Sequence, residues 1–479
     1  MGKTETKSQL WSQLEKNMEY FNALVHPDKN FDIIYRVMKY GGKESCFYYI
    51  NGFCRGEVLQ KLMQHFVRLA DDELPHTAHE MSKIDMPYGD VGLLTDWDSV
   101  ITAFLSGQVI MFFDGYQQCI KIDCRNYPMR SVEEPEKDRV MRGPRDGFVE
   151  TLVFNTALIR RRIRSPELSM EVLRVGRSSK TDIALCYMDS RVDKEFLKGI
   201  KERIQKLDVD SLTMNQESLA ECLYQHKWYN PFPKFKFSER PDTAAAQILE
   251  GNVVILVDNS PSCMILPVTI FDIIEEADDY YFPPVTGSYL RFTRFLVNIL
   301  TYFITPVWLL TTMHPEWLPD WLQFTTIHDE VNVPILLQLL ILEFAIDGLK
   351  LAALNTPSML STPLSVITAL VLGEFSVNSG WFNSETMLYM AFVAVANYTQ
   401  SNYELGYALK FMRIITLILT GLFDVYGFAA GVVILILAIL TNKTLSGGSY
   451  AYPLIPFNGK VLFRQFFRVR MSDAKKTKG

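Results

Sequence analysis

Charged residues are distributed very unevenly along the chain, and this constrains the fold more than any other feature of the sequence. From Arg291 to the C-terminus, 24 of 189 residues are Asp, Glu, Lys or Arg, whereas residues 1–290 contain 78. The C-terminal part is also rich in aromatic residues, and it is too apolar for a soluble domain of that size. The composition therefore argues against a wholly soluble enzyme, a disordered scaffold and a basic nucleic-acid-binding protein.

The apolar part contains six stretches that are candidates for membrane segments. They cover residues 294–312, 334–354, 362–379, 386–399, 405–423 and 426–441. The third and fourth stretches are short or polar, so re-entrant or broken segments are alternatives for both. Six spans, or four spans with re-entrant pieces, place both ends of the chain on the same side of a membrane.

The charges of the connecting loops predict the orientation. Loops 313–333 and 380–385 and the link at Asp424 contain no Lys or Arg, whereas the opposite loops and the tail from Lys460 to Lys478 are basic. By the positive-inside rule, the N-terminal part and the C-terminal tail are predicted to be cytoplasmic.

Ionisable residues inside the apolar stretches are the most informative feature of this part. Glu343 and Asp347 are four residues apart and Lys350 follows one turn later, so all three share one face of a helix. Glu374 lies in the next stretch. A carboxylate at membrane depth is costly unless it is paired or hydrated. Two interpretations remain open: ion pairs that lock neighbouring helices, or acids that line a water-filled path and favour cations.

The more polar part predicts two α+β subdomains. The segment 99–122 is repeated in outline by 243–266, each with an apolar helix, a strand, an Asp-Gly or Asp-Asn turn and a second strand. The turns suit two-residue hairpin loops. The predicted organisation is an N-terminal extension (1–30), subdomain 1 (31–130), a linker with subdomain 2 (131–290), a transmembrane domain (291–445) and a basic cytoplasmic tail (446–479).

Catalytic, metal and cofactor motifs are not found in the sequence. The seven cysteines form no C-x-x-C pair, the histidines show no metal spacing, and GRSSKT at 176–181 lacks the glycines of a phosphate loop. The N-terminus has no apolar core of a signal peptide. We therefore predict a protein that is not an enzyme and needs no cofactor. The basic run Arg160, Arg161, Arg162 and Arg164 is predicted to form a solvated or membrane-facing face of a helix, with binding to an acidic partner as the alternative.

Several long strings identify a resemblance to a known family. They are RGPRDGFVETLVFNTALIRRRIRSPEL (142–168), GRSSKTDIALCYMDS (176–190), SERPDTAAAQILEGNVVILVDNSP (238–261) and YFPPVTGSYLRFTRF (281–295). In this order they resemble the signatures of the bacterial spore germination A-subunit (GerA) family, over about residues 30–465. The strings GEFSVNSGWFNSETMLYMAFVAVANYTQ and SYAYPLIPFNGKVLFR set the chain apart from the A subunits of nutrient receptors within that family.

The resemblance implies an α+β cytoplasmic head of two subdomains followed by an all-α polytopic domain in the spore inner membrane. It also implies an oligomeric channel that releases monovalent cations during germination, and the expected oligomer is a pentamer. The implied partners are membrane lipids, further copies of the chain and another germination membrane protein, either a transporter-like B subunit or a different small membrane protein.

Combined with the charge pattern, the resemblance gives hypotheses about residues. Glu343, Asp347 and Glu374 are predicted to line the pore, with a dewetting constriction formed by Val366, Leu370 and Val377. The helix that carries Arg160–Arg164, and the loop at Pro283 and Pro284, are predicted to couple the head to the gate; for the two prolines, stiffening of a linker is the alternative. Two alternatives remain open. One is a scaffold subunit that docks a transporter and conducts nothing; the other is a transporter with a midplane site near Pro363 and Gly373.

Overall fold

The chain forms two compact units in a computed structural model that describes residues 9–40, 42–54, 56–68, 75–84, 90–126, 140–224, 229–328, 330–357, 366–400 and 402–468. The α+β unit comprises Met1–Gln225 and Phe235–Pro267, and the helical unit comprises His226–Lys234 and Val268–Gly479. The division falls at Pro267 rather than at the predicted residue 290, because the segment after Pro267 forms two short helices that pack within the helical unit.

In its described residues, the first half of the α+β unit is a five-stranded antiparallel sheet with four helices. Its strands pair in the order β1-β2-β4-β5-β3. Its elements are α1 (Leu14–Val25), β1 (Ile33–Tyr40), β2 (Lys43–Ile50), α2 (Gly56–Arg68), α3 (Ala78–Ile84), β3 (Val91–Leu94), α4 (Trp97–Leu105), β4 (Val109–Phe113) and β5 (Cys119–Ile122).

The second half repeats this topology, with strands in the order β6-β7-β9-β10-β8. Its elements are α5 (Leu152–Arg162), β6 (Leu168–Val175), β7 (Thr181–Met188), α6 (Lys194–Gln205), α7 (Asn215–Leu223), β8 (Lys236–Ser238), α8 (Pro241–Glu250), β9 (Val253–Val257) and β10 (Cys263–Leu266). The repeated helix–hairpin predicted from the sequence is confirmed as α4-β4-β5 and α8-β9-β10.

The hairpin loops of this repeat are longer than the two residues predicted. β4 ends at Phe113 and β5 begins at Cys119, while β9 ends at Val257 and β10 begins at Cys263. In each loop the leading aspartate turns away from its hairpin and caps a helix.

The capping contacts are the same in both halves. Asp114 Oδ1 accepts a hydrogen bond from the Leu14 amide at 3.0 Å, at the start of α1. Asp258 Oδ1 accepts one from the Leu152 amide at 3.1 Å, at the start of α5. A carboxylate at a helix N-terminus satisfies a free N–H group and complements the helix dipole.

A buried asparagine in each of these helices completes the repeat. Asn17 exchanges two hydrogen bonds with the backbone of Trp11, and Asn155 exchanges two with the backbone of Val149. The repeat therefore includes α1, whose apolar side chains lie in the core with those of α4. Residues 9–30 of the predicted N-terminal extension are structurally part of the first half, because α1 corresponds to α5.

A buried ion pair joins the two halves. Arg160 of α5 donates from Nε to Asp32 Oδ2 at 2.6 Å and from Nη2 to Asp32 Oδ1 at 2.9 Å, and both side chains are 1% exposed. Asn30 accepts from Arg160 Nη2 and from the Met170 amide. Arg160 thus differs from the predicted surface position, because its guanidinium pairs with Asp32 inside the unit.

The part of the helical unit that the structure describes consists of helices with two short 3₁₀ turns and one π-helical segment. Its elements are α9 (Ile270–Ile274), α10 (Asp278–Tyr281), α11 (Pro284–Met313), the 3₁₀ turns Pro315–Trp317 and Asp320–Thr325, α12 (Ile335–Asn355), the π-helix Ala369–Phe375, α13 (Ser376–Asn378), α14 (Ser384–Tyr398), α15 (Tyr403–Leu440) and α16 (Gly459–Phe466).

Two of the described helices, α11 and α15, are long and apolar enough to cross a membrane. α12 and α14 coincide with the predicted stretches 334–354 and 386–399, and the stretch 362–379 is described only from residue 366. The number of six membrane segments stays a prediction.

α15 is a helical hairpin rather than one straight helix. Asp424 has φ 53° and ψ −134°, outside the helical region. A Cβ on Gly427 would collide with the Leu419 carbonyl oxygen, and one on Gly431 would lie 2.5 Å from Thr416 Oγ1. Residues on either side of Asp424 therefore face each other, as the separate stretches 405–423 and 426–441 require, and the two glycines allow the close approach.

The loops that lack basic residues meet at one end of this unit. His314 Nε2 lies 2.7 Å from Asp424 Oδ2, and Asn332 Nδ2 donates to the Gly380 carbonyl at 3.2 Å. The three loops therefore lie together, which the positive-inside partition requires. Their assignment to the outer side of a membrane stays a prediction.

Replacing Arg160 by Ala should destabilise the α+β unit strongly, because Asp32 would remain buried without a partner. We expect a loss of about 3–5 kcal/mol in its free energy of unfolding, measured by denaturant-dependent hydrogen exchange of β1 and α5 in the full chain. Arg164→Ala, at an exposed position two residues after α5, is the matched control. Equal protection in both variants would contradict a stabilising role for the pair.

Candidate functional site: a buried ion-pair network and an outward-facing acid in the helical unit

The pair between Glu343 of α12 and Arg413 of α15 lies at the centre of the network. Arg413 donates from Nε to Glu343 Oε1 at 2.7 Å and from Nη2 to Oε2 at 2.8 Å. The exposed fractions of the two side chains are 0% and 2%. Arg413 also donates to the Thr301 carbonyl of α11 at 2.7 Å. One guanidinium therefore ties three helices together.

Lys410 extends the network by one turn. Its Nζ donates to the Glu343 carbonyl at 2.8 Å, lies 3.5 Å from Glu343 Oε2, and also donates to Asp347. The two acids of α12 are thus matched by two bases that are three residues apart on α15. A bidentate Arg–carboxylate pair with further hydrogen bonds is the arrangement in which buried charges are best compensated.

The sequence predicted the face of the two acids but did not single out Lys410 as a partner. Lys350, which follows Asp347 by one turn on the same helix, makes no ion pair within 4.0 Å among the described residues. The signal available in the sequence was the three-residue spacing of Lys410 and Arg413, which complements the four-residue spacing of the acids. Of the two readings left open, ion pairing between helices is what the geometry shows, while a pore position for Glu343 and Asp347 stays a prediction.

Glu374 has a different environment. It belongs to the π-helix, and its side chain is exposed. Val366 and Leu370 are 55% and 41% exposed, and Val377 is half-buried. π-helical turns are rare and frequently occur at functional sites. Of the two residues near which a midplane site was predicted, Gly373 belongs to this π-helix and Pro363 lies outside the described residues.

The predicted coupling residues fall into both units. Arg162 forms an ion pair with Asp146 at 2.5 Å, and Arg161 and Arg164 are exposed. In the helical unit, Pro283 precedes α11 and Pro284 is its first residue, a position that proline favours because its fixed φ suits a helix start. Coupling between these residues stays a prediction.

The start of α11 is fixed by a second cluster of charges, which the sequence did not reveal. Arg291 lies 2.5 Å from Glu275, and Arg294 lies 2.7 Å from Asp279, a residue whose side chain is 0% exposed. Burial raises the pKa of Asp279, and the neighbouring Arg294 and Arg291 oppose this shift. The cluster holds α10 against α11. Over the described ranges, no group of three or more His, Cys, Asp and Glu side chains is placed to hold a metal ion.

Replacing Glu343 by Gln should destabilise the helical unit, because Arg413 would keep its charge without a carboxylate. We expect a loss of about 3–5 kcal/mol, seen as a lower unfolding temperature of the full chain in nanodiscs. Glu374→Gln, an exposed acid, is the matched control. The double variant Glu343→Gln/Arg413→Gln should recover part of the loss. A double variant that is less stable than the sum of the single changes would contradict direct pairing.

His314 should make the stability of the helical unit depend on pH, because it contacts Asp424 where the loops without basic residues meet. Hydrogen bonds that the protonated imidazole of His314 donates to Asp424 and Glu316 raise the pKa of His314 above 6.5. A folded-state pKa above the unfolded value means that the stabilisation is complete below about 6.5 and is lost as the pH rises through the folded-state pKa. The unfolding temperature should therefore fall over that interval in the parent and not in His314→Gln. His328→Gln is the control and should retain the dependence.

Comparison with known proteins places the chain in a family. Residues 19–478 match the family described as Bacillus/Clostridium GerA spore germination protein. The chain is 36% identical over 472 residues to stage V sporulation protein AF of Bacillus subtilis (strain 168), covering 98% of this chain and 95% of that protein. It is 27% identical over 445 residues to spore germination protein KA of the same organism, covering 91% and 81%.

A solved structure also matches. The crystal structure of the N-terminal domain of the A subunit of the Bacillus megaterium spore germinant receptor GerK3 is 25% identical, with a TM-score of 0.42, and covers 55% of this chain and 97% of that domain. The relatives are spore germination and sporulation proteins, which supports a role in germination. From the match over residues 19–478 and the 36% identity, the chain belongs to the GerA family of spore germination proteins.

Proposed function

We propose that the chain is a multi-pass protein of the spore inner membrane that forms, with further copies of itself, a channel for monovalent cations during germination. In this proposal the α+β unit and the basic tail are cytoplasmic, and five copies surround the pore. A second germination membrane protein, either a transporter-like subunit or a different small protein, is its partner. The single observation that carries the proposal is the outward position of Glu374.

A carboxylate that faces hydrocarbon is unfavourable by roughly 3 kcal/mol or more. Glu374 is nevertheless exposed in the helical unit, and Leu370 and Phe375 beside it are 41% and 58% exposed. An exposed acid in an apolar segment is compatible with a membrane only if water or a second protein surface meets it. Repeated around a symmetry axis, the segment would present a ring of acids, which favours cations.

The apolar neighbours supply the second part of a channel. Val366 and Leu370 precede Glu374 by eight and four residues, and Val377 follows it by three. Apolar side chains at such positions can close a narrow path by excluding water. The ion-pair network between Glu343, Asp347, Lys410 and Arg413 would then hold the helices that support this segment.

One observation favours a second candidate function, a scaffold subunit that assembles a germination complex without conducting ions. Both acids of α12 are engaged by bases of α15, so their charges stabilise the packing of helices. If Glu374 contacts a partner protein instead of water, the same structure serves assembly alone.

Cation flux distinguishes the two functions. The full chain, with and without a coexpressed partner, is reconstituted in liposomes, and the K⁺ and Na⁺ fluxes are measured. Glu374→Gln should reduce the flux and its preference for cations over anions, because the acid ring loses its charge. Glu330→Gln, an exposed loop acid of the same unit, is the control and should conduct as the parent does. Parent protein without flux in either preparation would favour the scaffold.

A further inference from the structure

α16, the last helix that the structure describes, leaves large apolar side chains exposed. Phe463 and Phe467 are 56% and 53% exposed, and their rings stack at a centroid distance of 4.6 Å. The loop just before the helix exposes three more apolar side chains, those of Leu454, Ile455 and Phe457. Apolar side chains that are exposed together in this way indicate a surface that contacts a membrane or another protein.

Contacts with α11 fix the place of this surface. Arg291 Nη1 donates to the Arg464 carbonyl at 2.8 Å. On the inner side of α16, the Phe466 ring packs on the Phe295 ring at a centroid distance of 4.7 Å. α16 therefore lies beside the turn 291–295 of α11, and its exposed phenylalanines lie on the side away from that contact.

This turn of α11 lies at the level of a membrane surface in the proposed topology. α11 has 30 residues, which is about 45 Å of helix, whereas the hydrocarbon core of a bilayer is about 30 Å thick. The excess length belongs to the start of the helix, because Arg291 and Arg294 pair there with acids that precede α11. The same end also exposes the apolar side chains of Val285, Tyr289 and Phe292. α16 is thus placed where hydrocarbon gives way to headgroups.

Basic residues border the exposed phenylalanines. Lys460, Arg464 and Arg468 follow one another at intervals of four residues, so they lie along one side of α16 and its C-terminal end. Within the described ranges, none of the three has a carboxylate within 4.0 Å, whereas Arg291 and Arg294 of α11 are both paired. Phenylalanines beside unpaired bases are typical of helices that lie in the membrane interface, with the rings among acyl chains and the bases at phosphate groups.

The charge of this region indicates what covers the surface. Residues 443–479 contain eight Lys and Arg and one acid, Asp473. Clusters of bases next to a membrane span are attracted to anionic lipids. A second copy that met the chain through the same surface would bring like charges together, which disfavours self-association at this place.

We propose that residues 454–468 form an interfacial anchor that binds a leaflet of anionic glycerophospholipids. Phe463 and Phe467 enter the acyl region, and Lys460 and Arg464 bind lipid phosphate groups. Because α16 packs on the start of α11, anionic lipid stabilises the helix that leads into the membrane domain. The anchor rests on the membrane placement in the proposed function and is independent of ion conduction.

The test identifies what touches Phe463 in the full chain. The photo-crosslinker p-benzoylphenylalanine takes the place of Phe463, and the chain is reconstituted in nanodiscs of phosphatidylcholine with a minor fraction of phosphatidylglycerol. After illumination, mass spectrometry should find a phospholipid adduct in which phosphatidylglycerol exceeds its share of the bilayer roughly fivefold. The same crosslinker in place of Tyr35, an exposed residue of β1, is the control and should give no lipid adduct.

Removal of the bases should abolish the preference but not the contact. Lys460→Gln/Arg464→Gln should keep the phospholipid adduct, because the phenylalanine surface remains, and should lose the excess of phosphatidylglycerol. Lys198→Gln/Lys206→Gln removes the same charge from exposed positions in and just after α6, and it should retain the excess. Lys460→Gln alone should reduce the excess and serves if the double variant does not fold.

Three results would overturn the anchor: an adduct of Phe463 with a second protein chain, no lipid adduct, or an equal share of phosphatidylglycerol in the two double variants. Alkaline carbonate extraction of the parent from membranes separates this outcome from failure of the proposed function. A chain that leaves the membrane contradicts the membrane placement itself. A chain that resists extraction and gives no lipid adduct contradicts only the anchor.

Discussion

The bidentate pair between Arg413 and Glu343 is the interaction on which the helical unit depends. Removing both charges from water is unfavourable by several kcal/mol for each ion, and only close pairing with additional hydrogen bonds compensates for this. The third hydrogen bond of Arg413, to the Thr301 carbonyl, and the contact of Lys410 with Asp347 provide that compensation. The positions of α11, α12 and α15 are therefore coupled. Of the three acids predicted to line a pore, Glu374 is the one whose side chain is exposed.

The α+β unit uses the same principle between two repeated halves. In each half an aspartate from the hairpin loop caps the first helix, and an asparagine ties that helix to the preceding chain. These contacts are local to each half. Arg160 and Asp32 then connect the halves by a buried ion pair, which is more sensitive to geometry than apolar packing because either charge alone would be buried without compensation.

Acidic residues occupy two different kinds of position in the helical unit. The loops that contain acids but no bases meet at one end, where His314 contacts Asp424. Glu374, by contrast, is exposed on the π-helix Ala369–Phe375 of the same unit.

Much of the fold follows from the sequence alone. The low charge density after Arg291, the repeated helix–hairpin and the shared face of Glu343 and Asp347 are all patterns of neighbouring residues, and such patterns report which face of a helix or strand is apolar. The basic-free loops predicted which connections lie together, because charge decides the side of a membrane on which a loop remains.

Tertiary structure decided what those faces meet. The spacing of Glu343 and Asp347 does not say that Lys410 and Arg413 lie opposite them, and the run of arginines does not say that only Arg160 turns inward to Asp32. The physical reason is that pairing of buried charges and the shape of a cavity depend on residues far apart in the chain, which only the packed helices bring within hydrogen-bond distance.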